Sequence, residues 1–557
     1  MSVEIVLLQP PGWGVENPPL GLAMLKAYLQ ERGVSCRIMD LNIQLFHLRH
    51  VKYGDSWNLS YGYSLWNNRE FVTGFFKEYQ HEIEHFVWSV IQQRPGYIGL
   101  SVHGSSYLSA IAIADLLHRY APSIPQIYGG PQMARGRPEW RQILTNRDDF
   151  VIFGEGEESL LEIVKGGAQV QGTATLAYDG GLRPQIKNLD ELPFPDFRDF
   201  YLPLYNQQDF LPTYFSRGCL NHCAYCTESV YFPGFRCRNG ERVFNEICHL
   251  MEAYPRVGTY RFHDSVSNGN IRELERLCDL LIENDVQIQF NLEGAVIRRE
   301  MDARLYRKLK KAGCALIGYG LETPSKQLLA NIGKTVSRDA DIRKVVTDGV
   351  KSGITIGLNF MFGLPGETDA DSMQQIELIK KIPWYRRHRV IINPALTLCA
   401  ISPGCRAHDE PEKYGIDLEK GEYLWESRDR ANTFEIRRFR FNRFVAEATA
   451  LGYRNLFDVN IFPGVDGGSG QRADLSSYPV DRDGLRSAIR DERVSSLLSR
   501  YMHMIEARYE PYAPFSWHPS RLKKWLKYTV QKIRGQDKLY PAVILALKEL
   551  EDRMDTL

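Results

Sequence analysis

The sequence has no dominant charge and no long apolar run. Its 557 residues carry a formal net charge of only +1, so no overall electrostatic field favours nucleic acid or an anionic membrane surface. No apolar run approaches the roughly 20 residues that cross a bilayer, and the first residues lack the basic stretch that opens a signal peptide. We therefore expect a cytoplasmic globular protein with no membrane span and no nucleic-acid partner.

Cysteines are few for a chain of this length, which excludes a disulfide-bonded scaffold and favours a reducing compartment. There are ten cysteines. Only one Cys-x2-Cys pair is present, so the sequence does not indicate an auxiliary cluster. Seven of the ten cysteines are scattered, and we expect most of these to be small buried apolar residues: Cys36, Cys237, Cys248, Cys278, Cys314, Cys399 and Cys405.

The other three cysteines, Cys219, Cys223 and Cys226, are separated by three and then two residues. Thiolates are soft ligands that suit iron–sulfur clusters or zinc. Three thiolates can bind three irons of a four-iron cluster and leave the fourth iron open to another ligand. The alternative is a structural zinc site, which would need a fourth ligand such as His222 or Cys237.

This cysteine spacing, with the aromatic Tyr225 before the last cysteine, resembles that of radical S-adenosylmethionine (SAM) enzymes. The flanking residues are similar as well: Arg217, Gly218, Arg236, Arg238, Glu241 and Glu246. The resemblance implies that Cys219, Cys223 and Cys226 hold a 4Fe–4S cluster. Its open iron would bind the amino and carboxylate groups of SAM, and Tyr225 would contact the cofactor.

The first 168 residues alternate apolar strands with helices, which predicts a doubly wound, Rossmann-like parallel sheet with its ligand at the carboxyl ends of the strands. No Gly-x-Gly-x-x-Gly follows the first strand, so a dinucleotide is not expected. The predicted strands are Glu4–Leu8, Ser35–Leu41, Tyr97–Val102, Gln126–Tyr128 and Phe150–Phe153.

Small residues follow these strands, and their motifs resemble the cobalamin-binding domain fused to many radical SAM proteins. The histidine motif that ligates cobalt in other cobalamin domains is absent, since Gln9–Gly14 stands in its place. The resemblance therefore implies cobalamin without a histidine from that loop below the cobalt. It also implies that the cofactor contacts Pro11, Ser101, His103, Gly129, Gly130, Gly154, Glu155 and Gly156.

An insertion at residues 43–95 is rich in aromatic residues. One interpretation is a flap over the lower face of the corrin or over the substrate, with Arg69 facing the ring. The other is an extra packed helical layer, since aromatic side chains bury large apolar areas.

A proline-rich linker, 169–205, precedes six strand–helix units in residues 206–410, which predict a partial (β/α)6 barrel with catalytic groups at the carboxyl ends of its strands. Gly320–Thr323 and Gly357–Thr368 resemble the radical SAM motifs that bind SAM, which implies contacts from Glu322 and Asn359. His263 and Asp264 end the second strand, and we predict that they are catalytic. The predicted strands are Thr213–Ser216, Thr259–His263, Gln287–Leu292, Ala315–Gly320, Thr355–Phe362 and Val390–Leu398.

Residues 411–557 contain no recognised motif, and their periodicity predicts a mainly helical domain that caps the barrel. The whole pattern predicts an α/β protein and resembles a cobalamin-dependent radical SAM methyltransferase acting on a small molecule or peptide. The resemblance implies an electron donor such as flavodoxin or ferredoxin. The alternatives are a cobalamin-dependent cyclase or rearrangement enzyme, a methylase that uses no radical, and a cobalamin-binding sensor.

Overall fold

The structure is a computed structural model that describes residues 3–57, 65–335, 339–382, 389–394, 398–451 and 453–455. Two sheets with helices between their strands dominate it, so the predicted α/β fold class is confirmed. One buried apolar cluster contains residues of both sheets and of the linker between them, including Phe197 and Phe200.

The first sheet has the strand order β2-β1-β3-β4-β5-β6. Its first five strands are parallel, as predicted, and β6 joins the edge antiparallel. Because the order reverses between β1 and β3, loops from both strands open one crevice at their carboxyl ends. The strands are β1 (Ile5–Gln9), β2 (Cys36–Asp40), β3 (Tyr97–Ser101), β4 (Gln126–Gly129), β5 (Phe150–Ile152) and β6 (Thr173–Ala174).

Helices cover this sheet, and the aromatic insertion adds a packed layer to it. Phe75 is fully buried and lies against the rings of Trp66 and Tyr79. The interpretation as an extra layer therefore fits the described part of the insertion. The helices are α1 (Leu20–Glu31), α2 (Leu41–Leu48), α3 (Arg69–Glu78), α4 (Gln80–Ile91), α5 (Tyr107–Tyr120), α6 (Glu139–Ile143) and α7 (Glu157–Val164).

The second sheet has seven parallel strands in the order β17-β14-β13-β12-β11-β10-β7. Six correspond to the predicted strands, and the seventh, which was not predicted, comes from the C-terminal region. A separate two-stranded ribbon, β8 (Ser216–Arg217) and β9 (Arg236–Cys237), follows β7. The sheet contains β7 (Phe210–Thr213), β10 (Thr259–Phe262), β11 (Gln289–Ala295), β12 (Cys314–Glu322), β13 (Thr355–Phe360), β14 (Val390–Pro394) and β17 (Arg454–Asn455).

Helices between these strands have strongly one-sided apolar faces, as a sheet-covering helix requires. In α10, for example, Leu274, Leu277 and Leu281 are buried at helical spacing. The helices are α8 (Glu228–Tyr231), α9 (Gly240–Ala253), α10 (Ile271–Glu283), α11 (Ala303–Lys311), α12 (Lys326–Asn331), α13 (Asp339–Lys351), α14 (Asp369–Lys380) and α15 (Arg406–Asp409).

The C-terminal region adds a short hairpin, β15 (Ile416–Asp417) with β16 (Glu426–Ser427), and helix α16 (Phe434–Ala450). Arg437 of this helix lies against Gly363, and Arg440 binds Asp369 at 2.8 Å, so α16 packs on the second sheet. The part of the predicted helical domain after residue 455 lies outside the described residues. No helix within the described ranges is long and apolar enough to cross a membrane.

Candidate active site between the two sheets

A cavity of about 440 Å³ lies between the carboxyl ends of the two sheets. The first sheet contributes the loops after β1, β3, β4 and β5, and the second contributes residues that follow β7 and β10. Its size is in the range of ligand-binding cavities. The crevice expected for the first sheet therefore faces the barrel.

Most of the predicted cobalamin contacts lie in the wall of this cavity, namely Ser101, His103, Gly129, Gly130, Gly154, Glu155 and Gly156. Two predicted residues do not. Pro11 is buried behind the wall, where its carbonyl oxygen accepts a hydrogen bond from the Ser109 hydroxyl. Arg69 is exposed at the first position of α3. The insertion packs Trp66 against Gly12 and leaves Arg69 outside the cavity wall, so the contact of Arg69 with cobalamin stays a prediction.

Gly130 shows why the wall needs glycine. Its φ is +111°, and a Cβ atom there would lie 2.5 Å from the carbonyl oxygen of Val102. Any larger residue would combine an unfavourable backbone conformation with a clash against main chain.

His103 and Trp13 form a stacked pair in the wall, with ring centroids 3.7 Å apart and an interplanar angle of 21°. The Ser101 hydroxyl lies 3.2 Å from Nε2 of His103. Burial lowers the pKa of His103 to about 4, so the ring is neutral at pH 7. Trp13 was not predicted, although it stands in the Gln9–Gly14 loop, which lacks the cobalt-ligating histidine motif.

Two buried polar atoms in the wall have no hydrogen-bond partner among the described residues: Nδ2 of Asn17 and the hydroxyl of Tyr214. Such atoms are rare in folded proteins and call for a ligand or water. The cavity therefore fits a polar ligand with hydrogen-bonding groups on its edge. Neither residue was predicted; Asn17 stands just before the Pro-Pro-Leu-Gly-Leu motif, while Tyr214 has no motif to mark it.

The three clustered cysteines lie in the loop that joins β8 to β9. Cys219 and Cys226 each accept a backbone N–H at 3.4 Å, from Asn221 and Glu228. Burial raises the pKa of Cys223 to about 11 and that of Cys226 to about 12. Both are therefore thiols at neutral pH until a metal displaces the proton.

Within the described ranges, no three His, Cys, Asp or Glu side chains are arranged to hold a single metal ion. Neither His222 nor Cys237, the two candidates for a fourth zinc ligand, forms such a group with the three cysteines in the described part of the chain. His222 is exposed, and the thiol of Cys237 donates to the carbonyl of Arg238 from the β8–β9 ribbon.

A buried ion pair lies beside the cysteine loop. Nζ of Lys334 is 2.8 Å from a carboxylate oxygen of Glu322, and both side chains are largely buried. Burial alone would lower the pKa of Lys334, but Glu322 and the Cys223 thiol raise it, so the amine stays charged. Glu322 itself has a φ of +61°, which is unusual for a residue other than glycine.

The other predicted SAM contacts are close to this pair. Tyr225 makes a side-chain hydrogen bond to Cys223, and its ring packs on the apolar cluster beneath the loop. Asn359 lies on β13 in register with Gly320 of β12, two residues before Glu322. The structure thus brings Tyr225, Glu322 and Asn359 to one end of the barrel.

His263 lies in the cavity wall and pairs with a second carboxylate. Its Nδ1 is 3.2 Å from Glu293, whose other oxygen is 2.7 Å from Nε of Arg261. Burial and the charge of Arg261 lower the pKa of His263 to about 4, while burial raises that of Glu293. His263 is therefore uncharged at neutral pH, and its ring lines the cavity beside Ser265.

Asp264 is placed differently from the prediction. It does not line the cavity; one oxygen accepts hydrogen bonds from the backbone N–H of Phe215, from the backbone N–H of Ser216 and from the Ser216 hydroxyl. Burial raises its pKa to about 6. Asp264 therefore fixes the chain before the cysteine loop and does not reach a substrate.

Residues 213–379 match the model of the Radical SAM superfamily. Among curated proteins, an uncharacterized methyltransferase of Pyrococcus horikoshii is 27% identical over 322 residues, covering 52% of this chain and 64% of its own length. An anaerobic magnesium-protoporphyrin IX monomethyl ester cyclase of Rubrivivax gelatinosus is 24% identical over 306 residues, covering 51% and 53%. The matched segments thus cover between half and two thirds of these relatives.

Two solved structures share the fold at 15% sequence identity. The radical SAM methyltransferase TsrM of Kitasatospora setae, with tryptophan and a SAM analogue bound, has a TM-score of 0.57 and covers 82% of this chain and 92% of its own. The cobalamin-dependent enzyme OxsB has a TM-score of 0.56 and covers 100% and 76%. Residues 213–379 therefore form a radical SAM domain, in a chain whose fold is that of cobalamin-dependent radical SAM enzymes.

Proposed function

We propose that this protein is a cobalamin-dependent radical SAM methyltransferase that acts on a carbon atom of a small molecule or peptide. The observation that carries the proposal is the cavity itself. It joins the glycine-rich strand ends of the first sheet to the mouth of the barrel that carries the three cysteines. Two cofactors bound on opposite sides of one cavity can act on one substrate.

The cysteine loop fits a 4Fe–4S cluster. All three thiols are free of disulfides, and in such a cluster each cysteine binds a different iron, so the three sulfurs need not converge on one point. The charged Lys334 stabilises the thiolates that remain after the protons leave. Cys219, Cys223 and Cys226 would hold the cluster.

The neighbouring ion pair fits SAM. Glu322 can accept hydrogen bonds from the ammonium or ribose hydroxyls, and Asn359 lies on the adjacent strand. Lys334 pairs with Glu322 and adds a positive charge for the carboxylate of SAM.

The cavity wall fits cobalamin, whose amide side chains could bond to Asn17 and Tyr214. When bound, the cofactors supply one-electron cleavage of SAM and transfer of a methyl group. The protein orients them and excludes water, and His263 in the cavity wall can contact the substrate. The glycine-rich wall of the first sheet would hold the corrin beside the barrel mouth.

A second candidate is a cobalamin-dependent cyclase, which the similarity to the cyclase of Rubrivivax gelatinosus favours. Reaction products distinguish these activities. Free 5′-deoxyadenosine formed with a methylated product supports the radical methyltransferase, and deoxyadenosine with an unmethylated product supports the cyclase. S-adenosylhomocysteine alone supports methyl transfer without a radical. The reaction also needs an electron donor, and we propose a flavodoxin or ferredoxin in a reducing cytoplasm.

The first test is anaerobic purification with hydroxocobalamin present, followed by an absorption spectrum and metal analysis. About four irons and one cobalt per chain support the proposal. Four irons without cobalt would reduce it to radical SAM chemistry without cobalamin, and absence of both would contradict it. SAM turnover is then measured with a chemical reductant, so that no natural electron donor is required.

A further inference from the structure

Two arginines stand at the two ends of the cysteine loop. Arg217 of β8 and Arg236 of β9 are paired directly across the antiparallel ribbon, so their side chains emerge on one face. Like charges at such a pair destabilise a ribbon. The base of the cysteine loop therefore needs an anion.

The first sheet supplies that anion. Glu155, in the loop after β5, binds Nη1 of Arg217 at 2.6 Å and Nη1 of Arg236 at 3.0 Å. Glu157, the first residue of α7, binds the other terminal nitrogen of Arg217 at 2.6 Å. All four side chains are largely buried, so solvent screens these contacts little.

The same loop also forms the cavity wall. Gly154, Glu155 and Gly156 line the cavity, and the carbonyl of Gly154 accepts a hydrogen bond from Tyr231, three residues beyond the start of α8. A ligand that contacts this wall touches the segment that neutralises the base of the cysteine loop. One short element thus adjoins both sites.

We infer that Glu155 is a positioning residue that couples the ligand of the cavity to the cysteine loop, so that cobalamin and the iron–sulfur cluster bind with positive cooperativity. The inference builds on the proposed function, because it takes cobalamin and the cluster as the two ligands. When the cavity is filled, the Gly154–Gly156 loop is held, Glu155 fixes both arginines, and the two ends of the cysteine loop stay in register.

The test measures the dissociation constant of hydroxocobalamin for the full-length chain with and without a reconstituted cluster, under anaerobic conditions. We expect cluster-loaded protein to bind hydroxocobalamin at least about fivefold more tightly, the lower end of typical coupling between two sites. In Glu155→Gln, which keeps the shape and removes the charge, the two constants should become equal.

The matched control is Glu158→Gln. Glu158 lies one residue further along α7 than Glu157 but binds Arg183 instead of the cysteine loop, so this variant should keep the wild-type ratio. If Glu155→Gln does not fold, Arg236→Gln breaks the same contact from the other side.

The outcomes are distinct. Equal constants in the wild type, with both ligands bound, overturn the coupling alone. A Glu155→Gln variant that binds both ligands more weakly with an unchanged ratio shows a merely structural role and also overturns it. Wild-type protein that takes up no cobalt or no iron overturns the proposed function, and the coupling with it.

Discussion

The two walls of the cavity are built in different ways. The wall from the first sheet depends on shape: its glycines bring the backbone close, its aromatic pair is neutral at pH 7, and its acidic residues Glu155 and Glu157 already bind arginines. The barrel side depends on charge, with Lys334 paired to Glu322 beside the cysteine loop. Substitutions that add carbon atoms should therefore disturb the wall from the first sheet, and substitutions that remove a charge should disturb the barrel side.

The largest effect is expected on the barrel side, at the cysteines. Cys223→Ala removes one of three predicted cluster ligands, so iron content should fall and reductive SAM cleavage should be abolished. Iron analysis and detection of 5′-deoxyadenosine measure both. Cys248→Ala, in α9 and outside the cysteine loop, is the matched control and should behave as wild type. Cleavage of SAM by Cys223→Ala would contradict the cluster assignment.

Removal of one member of the buried ion pair should have the next largest effect. Lys334→Met leaves Glu322 buried without its cation, which typically costs about 3–5 kcal/mol of stability. Chemical denaturation of the cluster-free chain measures the loss. The double variant Lys334→Met, Glu322→Gln should recover much of it; if it does not, the pair is not the origin of the loss.

On the shape-dependent wall, Gly130→Ala should cost about 1–3 kcal/mol of stability, because alanine disfavours its positive φ and its Cβ would meet the Val102 carbonyl. Hydroxocobalamin binding should weaken with it. Gly129→Ala adds the same atom where nothing lies within 4 Å, and it should retain wild-type stability. Equal losses in both variants would show that the wall does not depend on this close approach.

The smallest effect is expected at Asp264. This titratable group lies on the barrel side, but it serves to hold the backbone in place through hydrogen bonds. Its raised pKa means that the folded chain binds a proton more readily than the unfolded chain between about pH 4 and 6. The stability that Asp264 contributes through this proton binding therefore grows as the pH falls through about 6. Asp264→Asn retains an acceptor for all three donors and lacks this dependence.

Between pH 6 and pH 5, the unfolding free energy of wild type should therefore rise by roughly 1 kcal/mol relative to that of Asp264→Asn. Unfolding of both proteins at the two pH values measures it. The exposed Asp148→Asn serves as control. A difference that does not change with pH would show that Asp264 is not perturbed by burial.

The fold was largely predictable because both sheets are built of parallel strands with local signals, namely apolar runs followed by glycines and separated by amphipathic helices. β6 and β17 were missed because two residues are too short for any periodicity. The position of Arg69 outside the cavity wall was not predictable, because the direction of an insertion depends on packing across the fold, here Trp66 on Gly12.

The site was predictable where motifs mark it and not elsewhere. The cysteine triplet and the glycine loops are visible in one sequence. The contact between Arg217 and Glu155 joins residues 62 positions apart. Tyr214 becomes significant only because its buried hydroxyl has no hydrogen-bond partner among the residues that the structure describes. Both facts arise from the docking of the two sheets, which no single segment encodes.

The paired arginines of the β8–β9 ribbon also have a consequence for biosynthesis. A chain is made from its N-terminus, and N-terminal domains tend to fold first. Glu155 and Glu157 are therefore already synthesised when the cysteine loop leaves the ribosome. The arginines at the base of the loop can then bind these carboxylates as soon as they emerge. A barrel expressed from residue 206 onward would meet no such surface, so cluster insertion should follow docking of the two halves.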